Sequence, residues 1–432
     1  TRRRHFVLPA LLRLFLAASL AVGGLLHAFF IYHEGEEELK TRNKTAVSTA
    51  LFLLMASSAA HASITLYGIL DTGVGYDMNK GNSSYSRDRT DATEFKTSRL
   101  GPNSGVHFGS RWGIRGTEDL GNGLQAKFVL ESGFDVPTGK SIQGGRLFGR
   151  QATLGLAGED WGQVDFGLKN NMPTEYFSMA HPLGGGGGIV GFGSTFSVAN
   201  TVRYDNQIQY QSPTLNGFQF GIGYSFNING QQHWDSERPD GTNSKDNNIR
   251  AVTTGLRYNN GPLSAALVYD QLHINKQSAS GARPAADSTR VSAWAGAASY
   301  DFDVVKVFAG IGQTRDGLFA TQVFGLSNVT NPLPSFAAVP GLRINSYSFG
   351  VTTPLAGGRF SLGWNMADPR NLPESITGPN AQTKRQHVYS VGYQYDLSKR
   401  TMVYVYGGYA QNLTFLPDAR ATQLYVAFNH KF

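Results

Sequence analysis

The 432-residue sequence contains no cysteine. That excludes a disulfide framework, a thiol nucleophile and any zinc site built on thiolates. Neither His-x-x-x-His nor Gly-x-Ser-x-Gly occurs, so the common zinc- and serine-hydrolase signatures are missing. No metal, cofactor or catalytic residue is therefore expected. Beyond residue 62 no stretch is apolar enough for a membrane-spanning helix, which needs about 20 such residues. A strong charge of one sign is lacking too. Past residue 62 the chain carries 31 Lys and Arg against 27 Asp and Glu, a net charge of +4. That is too mild to point to nucleic acid. Glycine, by contrast, is abundant at 52 residues, yet aromatics reach 12%. Disordered glycine-rich chains are poor in aromatics, so this composition belongs to a folded protein.

The first 62 residues differ from the rest. Lys40, Arg42 and Lys44 precede an apolar core from Ala46 to Ala56, followed by Ala60-His61-Ala62. These are the basic, apolar and small-residue regions of a secretory signal peptide over residues 40–62, cut after Ala62. Its core is too short to span a bilayer of roughly 30 Å as a helix. Residues 1–39 have two readings. Leu14 to Tyr32 behind Arg2, Arg3, Arg4 and Arg13 resembles an inner-membrane anchor, an extra N-terminal segment. Alternatively, they are translated from upstream of the true start, and the sequence favours this because two export segments in series are unusual.

From Ser63 onward, apolar and polar residues alternate with a period of two, the mark of a strand with two different faces. Val106, Phe108, Trp112 and Ile114 interleave with His107, Gly109, Arg111 and Arg115. Phe218, Phe220, Ile222 and Tyr224 interleave with Gln219, Gly221 and Gly223. Such strands run to about ten residues, suited to a tilted membrane crossing. Their polar faces carry Arg and Lys at mid-strand, which a dry core would not tolerate unpaired but a water-filled lumen would. Tyr76, Tyr224, Tyr393 and Tyr395 near strand ends fit interfacial aromatic belts.

The connections alternate between short and long. Short turns rich in Gly, Pro, Asn or Asp lie near residues 118–123, 158–162, 213–217, 259–262, 301–303, 356–358 and 396–400. Long polar segments lie near 77–103, 134–145, 170–201, 227–247, 274–289, 315–342, 368–382 and 413–421. Seven turns and eight loops join sixteen antiparallel strands over residues 63–432. An even count lets first and last strands pair, and sixteen leave an aqueous channel. The expected fold is all-β, a sixteen-stranded antiparallel transmembrane β-barrel with short periplasmic turns and long external loops.

Several runs resemble the trimeric general porins of β-proteobacteria, of the Neisseria, Bordetella and Burkholderia kind. They are Ser63-Ile64-Thr65-Leu66-Tyr67-Gly68-Ile69-Leu70-Asp71, the hairpin from Gly113 to Leu124, Leu147 to Ala152 as a fourth strand, Asn206 to Pro213, and Phe428 to Phe432. The resemblance implies an outer-membrane homotrimer that passes ions and small hydrophilic solutes by diffusion. Its implied partners are outer-membrane lipid and lipopolysaccharide, and the barrel-assembly machinery through a C-terminal strand ending in an aromatic, Phe432.

In that family the third loop folds inward and sets acids against bases on the barrel wall. Here residues 170–201 form the longest connection, and such a length without regular structure is unusual unless functional. Where the family shows Asp-Pro-Phe-Gly, this chain has His181-Pro182-Leu183-Gly184, which removes a carboxylate and leaves Glu175 as the loop's acid. The basic wall candidates are Arg111, Arg150 and Arg203. Alternation puts Arg111 and Arg203 inside, whereas Arg150 shares the side of Phe148 and Leu154 and needs a bulge or a subunit contact. Arg115, Lys127, Glu131, Asp165, Lys169 and Asp205 are further lumen-charge candidates. Excess bases predict an anion preference. The rival readings are a substrate-specific channel of the same fold, an outer-membrane enzyme, and an adhesin with a plugged lumen.

Overall fold

The computed structural model describes residues 63–82, 94–184, 188–234, 248–274, 289–320, 335–372 and 383–432; the expected signal peptide and upstream segment lie outside the described residues. The strands are β1 (Ser63–Asn82), β2 (Glu94–Ser104), β3 (Arg111–Gly121), β4 (Leu124–Gly133), β5 (Gln151–Gly158), β6 (Gly162–Asn170), β7 (Arg203–Gln211), β8 (Phe218–Ser225) and β9 (Arg250–Asn260). They continue as β10 (Leu263–Ile274), β11 (Thr289–Asp301), β12 (Lys306–Leu318), β13 (Ala337–Leu355), β14 (Gly358–Arg370), β15 (Gln386–Asp396), β16 (Thr401–Gln411) and β17 (Arg420–Lys431). Each pairs antiparallel with its neighbours, and β1 pairs with β17 to close the cylinder. β2 and β3 both pair with β1, the first through Thr72 opposite Ser104 and the second through Ile69 opposite Arg111. They are two halves of one crossing, so the barrel has sixteen.

Alternation sorts the two faces as expected. Along β17, Leu424, Val426 and Phe428 are exposed while Tyr425, Ala427 and Asn429 are buried. A lipid-facing band of aliphatic and aromatic side chains follows, with Phe220, Leu256, Ile311, Phe349 and Leu362 all exposed. Tight turns close the short end. In the β3–β4 hairpin, Asn122 and Gly123 take φ of 53° and 74°, the left-handed backbone that a two-residue turn requires.

Three expectations need correction. The alternation through Val106 and Phe108 does not form a strand. Residues 105–110 leave the sheet and fold inward, held by the Asp71 carboxylate, which accepts from the backbone N–H groups of His107 and Phe108 (3.3 and 3.2 Å). The fourth strand begins at Gln151 rather than Leu147, because residues 147–150 form turns. The strands flanking residues 77–103 and 315–342 also run further than composition indicated: β1 reaches Asn82, β2 starts at Glu94, β12 ends at Leu318 and β13 starts at Ala337. Polar residues continue the ladder there because backbone pairing with a neighbour does not depend on side-chain polarity.

Candidate pore constriction

Between β6 and β7 the chain turns inside the barrel. A short helix α1 (Met172–Tyr176) opens the segment, capped by Asn171, whose side chain accepts from the Thr174 N–H (3.0 Å). Tight helical turns follow at Phe177–Ala180, Phe192–Ser194 and Ser197–Ala199. Phe177 meets Phe192 and Phe196 at ring-centroid distances of 5.3 and 5.0 Å, giving the loop a small core of its own.

A loop lying on a wall must have its backbone polar groups satisfied there. Ser346 Oγ donates to the Thr195 carbonyl (2.6 Å) and Gln386 Nε2 to that of Ser194 (2.7 Å). Gln423 Oε1 accepts from the Ile189 N–H (2.9 Å), and Thr253 Oγ1 from that of Met172 (2.8 Å). At the root of the loop the buried Asp270 carboxylate accepts from Asn171 Nδ2 and from the Tyr204 hydroxyl, both at 2.7 Å. The wall also makes room. Gly255, Gly350, Gly392 and Gly408 face Tyr176, Pro182, Leu183 and Val190, at 2.6 to 2.8 Å from where a Cβ would stand. These wall glycines are explained by this close approach.

His181 faces that wall, not the channel. It is buried beside Gly363 and Asn365, and its Nδ1 accepts from the Leu183 N–H (3.2 Å). It does not stand in for the missing carboxylate. Burial holds the imidazole neutral, its pKa pushed down to about 3. Because that value lies below the ordinary 6.5, docking is fully supported above pH 6.5 and is weakened as pH falls from there toward 3. By pH 5 the loss is about 2 kcal/mol. Closures and open-channel noise should therefore increase between pH 7 and pH 5, and His181→Asn should remove that dependence; an unchanged pH response in the variant would show that other groups set it.

Opposite the loop, the arginines converge. Glu131 on β4 is shared by Arg150 (Nε to Oε1, 2.7 Å) and Arg111 (Nε to Oε2, 3.4 Å), and accepts from the Tyr67 hydroxyl (3.0 Å). Arg150 reaches the lumen because it precedes β5 in a turn, where strand alternation does not apply. Arg203 joins them, though not by simple alternation. A bulge in β7, with a left-handed Asn206 (φ 48°), puts Tyr204 on the inner wall against Asp270. The Arg203 guanidinium instead stands within electrostatic reach of Arg150, Arg111, Glu131 and Glu175. Around Arg203, three guanidinium groups thus face two carboxylates, a local excess of +1; the Asp71 carboxylate, within reach of Arg111, lies behind them and takes hydrogen bonds from His107, Phe108, Tyr404 and Asn429.

The other predicted charges are spent elsewhere. Asp165 and Lys169 form a buried pair at 2.7 Å. Asp205 is held by Arg146 at 2.7 Å and accepts from the Gly230 N–H, at the outer rim. Arg115 lies over the Tyr67 ring at 5.1 Å, and Lys127 lines the lower lumen beside Gln163 and Gln125. Sequence reasoning missed Tyr67, Arg146 and Asp71 as supports. Arg146 lies in a loop, where no periodicity marks a face. Asp71 acts through the inward fold of residues 105–110: the Gly109 carbonyl accepts from Arg111 Nη1 (3.3 Å), and Arg150 packs where Gly109 has no side chain.

Comparison with known proteins bears on the family and the fold. The family model described as Gram-negative porin matches residues 47–414. An outer membrane porin protein of Bordetella pertussis is 46% identical over 402 residues, covering 90% of this chain and 100% of that relative. Outer membrane porin protein 32 of Delftia acidovorans is 30% identical over 88% of this chain and 91% of its own length. Among solved structures, an anion-selective porin from Comamonas acidovorans superposes with a TM-score of 0.60 at 24% identity, covering 86% of this chain and all of that one. A closed sixteen-crossing barrel, a loop folded into its lumen and these matches along nearly the whole length place the chain in the Gram-negative porin family, whose members form diffusion channels in the outer membrane.

Proposed function

We propose that the pore is a general diffusion channel that prefers anions, with Arg111, Arg150 and Arg203 as the basic wall of its constriction and Glu175 as the acid on the inward loop. The observation that carries this is the shared Glu131: one carboxylate answers two arginines, so positive charge remains uncompensated where the loop narrows the lumen. In a narrow passage with low-dielectric walls, such an excess concentrates anions and repels cations. Asp165 and Asp205 are already paired with Lys169 and Arg146, so they do not offset it. The reversal potential of the purified protein in a salt gradient tests the proposal, and a cation preference at 0.1 M salt would refute it.

The assembly reading is a homotrimer surrounded by outer-membrane lipid and lipopolysaccharide, exported by a signal over residues 40–62. Phe432 serves the barrel-assembly machinery as the end of the closing strand. Its N–H donates to the Gly68 carbonyl (3.1 Å), its carbonyl accepts from the Gly68 N–H (3.2 Å), and its ring covers Gly68. Deleting Phe432 removes both bonds, worth about 1 kcal/mol each, at the seam that closes the cylinder. Folded, heat-modifiable barrel in the outer membrane should fall while export continues. Undiminished insertion of the truncated chain would show that Phe432 is only an interfacial aromatic.

A further inference from the structure

A second cluster of bases lies away from Arg150 and Arg203, at the turn end of the lumen. Here β14, the β15–β16 turn, β17 and the inward fold at residues 105–110 enclose a cavity of about 480 Å³. Small-ligand sites fall in the range of roughly 300–1,000 Å³. Arg359, Lys399, Arg400 and Lys431 line it, with His107, Ser398, Thr401 and Asn429 as neutral polar groups. Arg359 is answered by Asp396 in a two-pronged pair (2.7 and 3.3 Å). Among the described residues, Lys399, Arg400 and Lys431 form no ion pair. Four bases thus line the cavity with one acid, and the Asp71 carboxylate behind its wall, bonded to Asn429 Nδ2 and to the N–H groups of His107 and Phe108, leaves an excess of +2.

The backbone that carries these exposed bases is held in place. In the β15–β16 turn, Ser398 Oγ accepts from the N–H groups of Arg400 (3.2 Å) and Thr401 (3.1 Å), and the Leu397 N–H donates to the Thr401 carbonyl (2.9 Å). Lys431 is fixed by the strand ladder, opposite Ile69 and near the Phe108 ring (5.9 Å). Like charges converging on a rigid frame repel each other, and a bound anion relieves that repulsion. A monovalent ion relieves only part of it, whereas an ion with two or three negative charges meets several bases at once.

We propose that this cavity is a binding site for small multivalent anions, a di- or tricarboxylate or a phosphate ester, at the periplasmic mouth of the channel. It deepens the anion-channel reading and rests on it: an anion that has passed the constriction meets a second station before release, as conduction through successive sites requires. Bound there, a multivalent anion occupies the exit and lowers the current carried by chloride.

The test is sided block of single-channel current by citrate, and separately by pyrophosphate, in full-length protein in a planar bilayer with potassium chloride. Orientation is read from a single cysteine placed at Asp418, in an external loop, which a membrane-impermeant maleimide labels from one side only. Citrate or pyrophosphate added on the turn side should halve the current at a concentration about tenfold lower than on the loop side, about 1.4 kcal/mol. Lys399→Ala with Arg400→Ala should abolish that asymmetry, and Lys399→Arg with Arg400→Lys should restore it. Block by citrate and by pyrophosphate that is equal from both sides, or that survives the double alanine variant, overturns the proposal. So does acetate blocking as well as citrate. A cation-preferring wild-type pore would instead refute the constriction reading, so the two failures are told apart.

Discussion

In a gradient of potassium chloride around 0.1 M, replacing Arg203 by Ala should move the reversal potential toward zero, and replacing Arg111 and Arg203 together should carry it past zero to a cation preference. The sign follows from counting charges at the constriction. Arg111, Arg150 and Arg203 face Glu131 and Glu175, so removing one arginine balances the site and removing two leaves it at −1. A unit charge at about 4 Å from an ion is worth about 1 kcal/mol even at the dielectric of water, and more beside a protein wall. Each arginine removed therefore changes the anion-to-cation ratio several-fold. Glu131→Gln should act in the opposite direction, since it uncovers the arginines it now shares. All these differences should shrink at 1 M salt, where the screening length falls to about 3 Å from about 10 Å at 0.1 M. An unchanged reversal potential in the double variant would place the selectivity elsewhere in the lumen.

Chymotrypsin should cut the inward loop once its wall is filled. Gly350→Val and Gly392→Val put methyl groups where Pro182 Cδ and Leu183 Cδ2 already stand, each 2.6 Å from the position of a first Cβ alone. Overpacking of this kind costs about 1–3 kcal/mol per site, and because both sites press on adjacent loop residues, Pro182 and Leu183, one undocking relieves both and their effects are coupled. The closest clash in each case is with the loop, at 2.6 Å, against 2.8 Å to the Leu362 carbonyl and 3.0 Å to the Tyr406 ring on the wall, and the loop yields first because the sixteen crossings are held by their own backbone ladders. The barrel should stay heat-modifiable while Tyr176, Phe177 and Phe192, now buried, become cleavable. Single-channel conductance should lose its single value as the loop leaves its seat. Gly296→Ala is the matching control, since the nearest atom to its new Cβ is at 3.7 Å. Equal protease resistance in the valine variants would mean that the polar anchors at Ser346, Gln386 and Gln423 hold the loop without the glycine wall.

The linear sequence determined the architecture because a barrel in lipid obeys a local rule. Every strand must turn an apolar side to lipid and a polar side to water, so a period of two written along each segment gives both the strand and its facing, as at Phe218 to Tyr224 and along β17. Turn chemistry such as Asn122-Gly123 marked the short ends in the same local way. The same rule assigns Arg111 and Glu131 to one face, and the two pair there. It failed where the chain leaves the regular ladder. Arg150 sits in a turn, Arg203 lies before a bulge, and residues 105–110 break a crossing, so counting by twos could not aim their side chains. It was also silent on pairing across distance. Which arginines share Glu131, that Asp205 is taken by Arg146, and that Asp71 props the fold behind Arg111 depend on which strands and loops lie side by side. Those neighbours are chosen by closure of the sheet and by the loop packed within it, and a one-dimensional pattern carries no distance between residues such as Arg146 and Asp205, 59 positions apart.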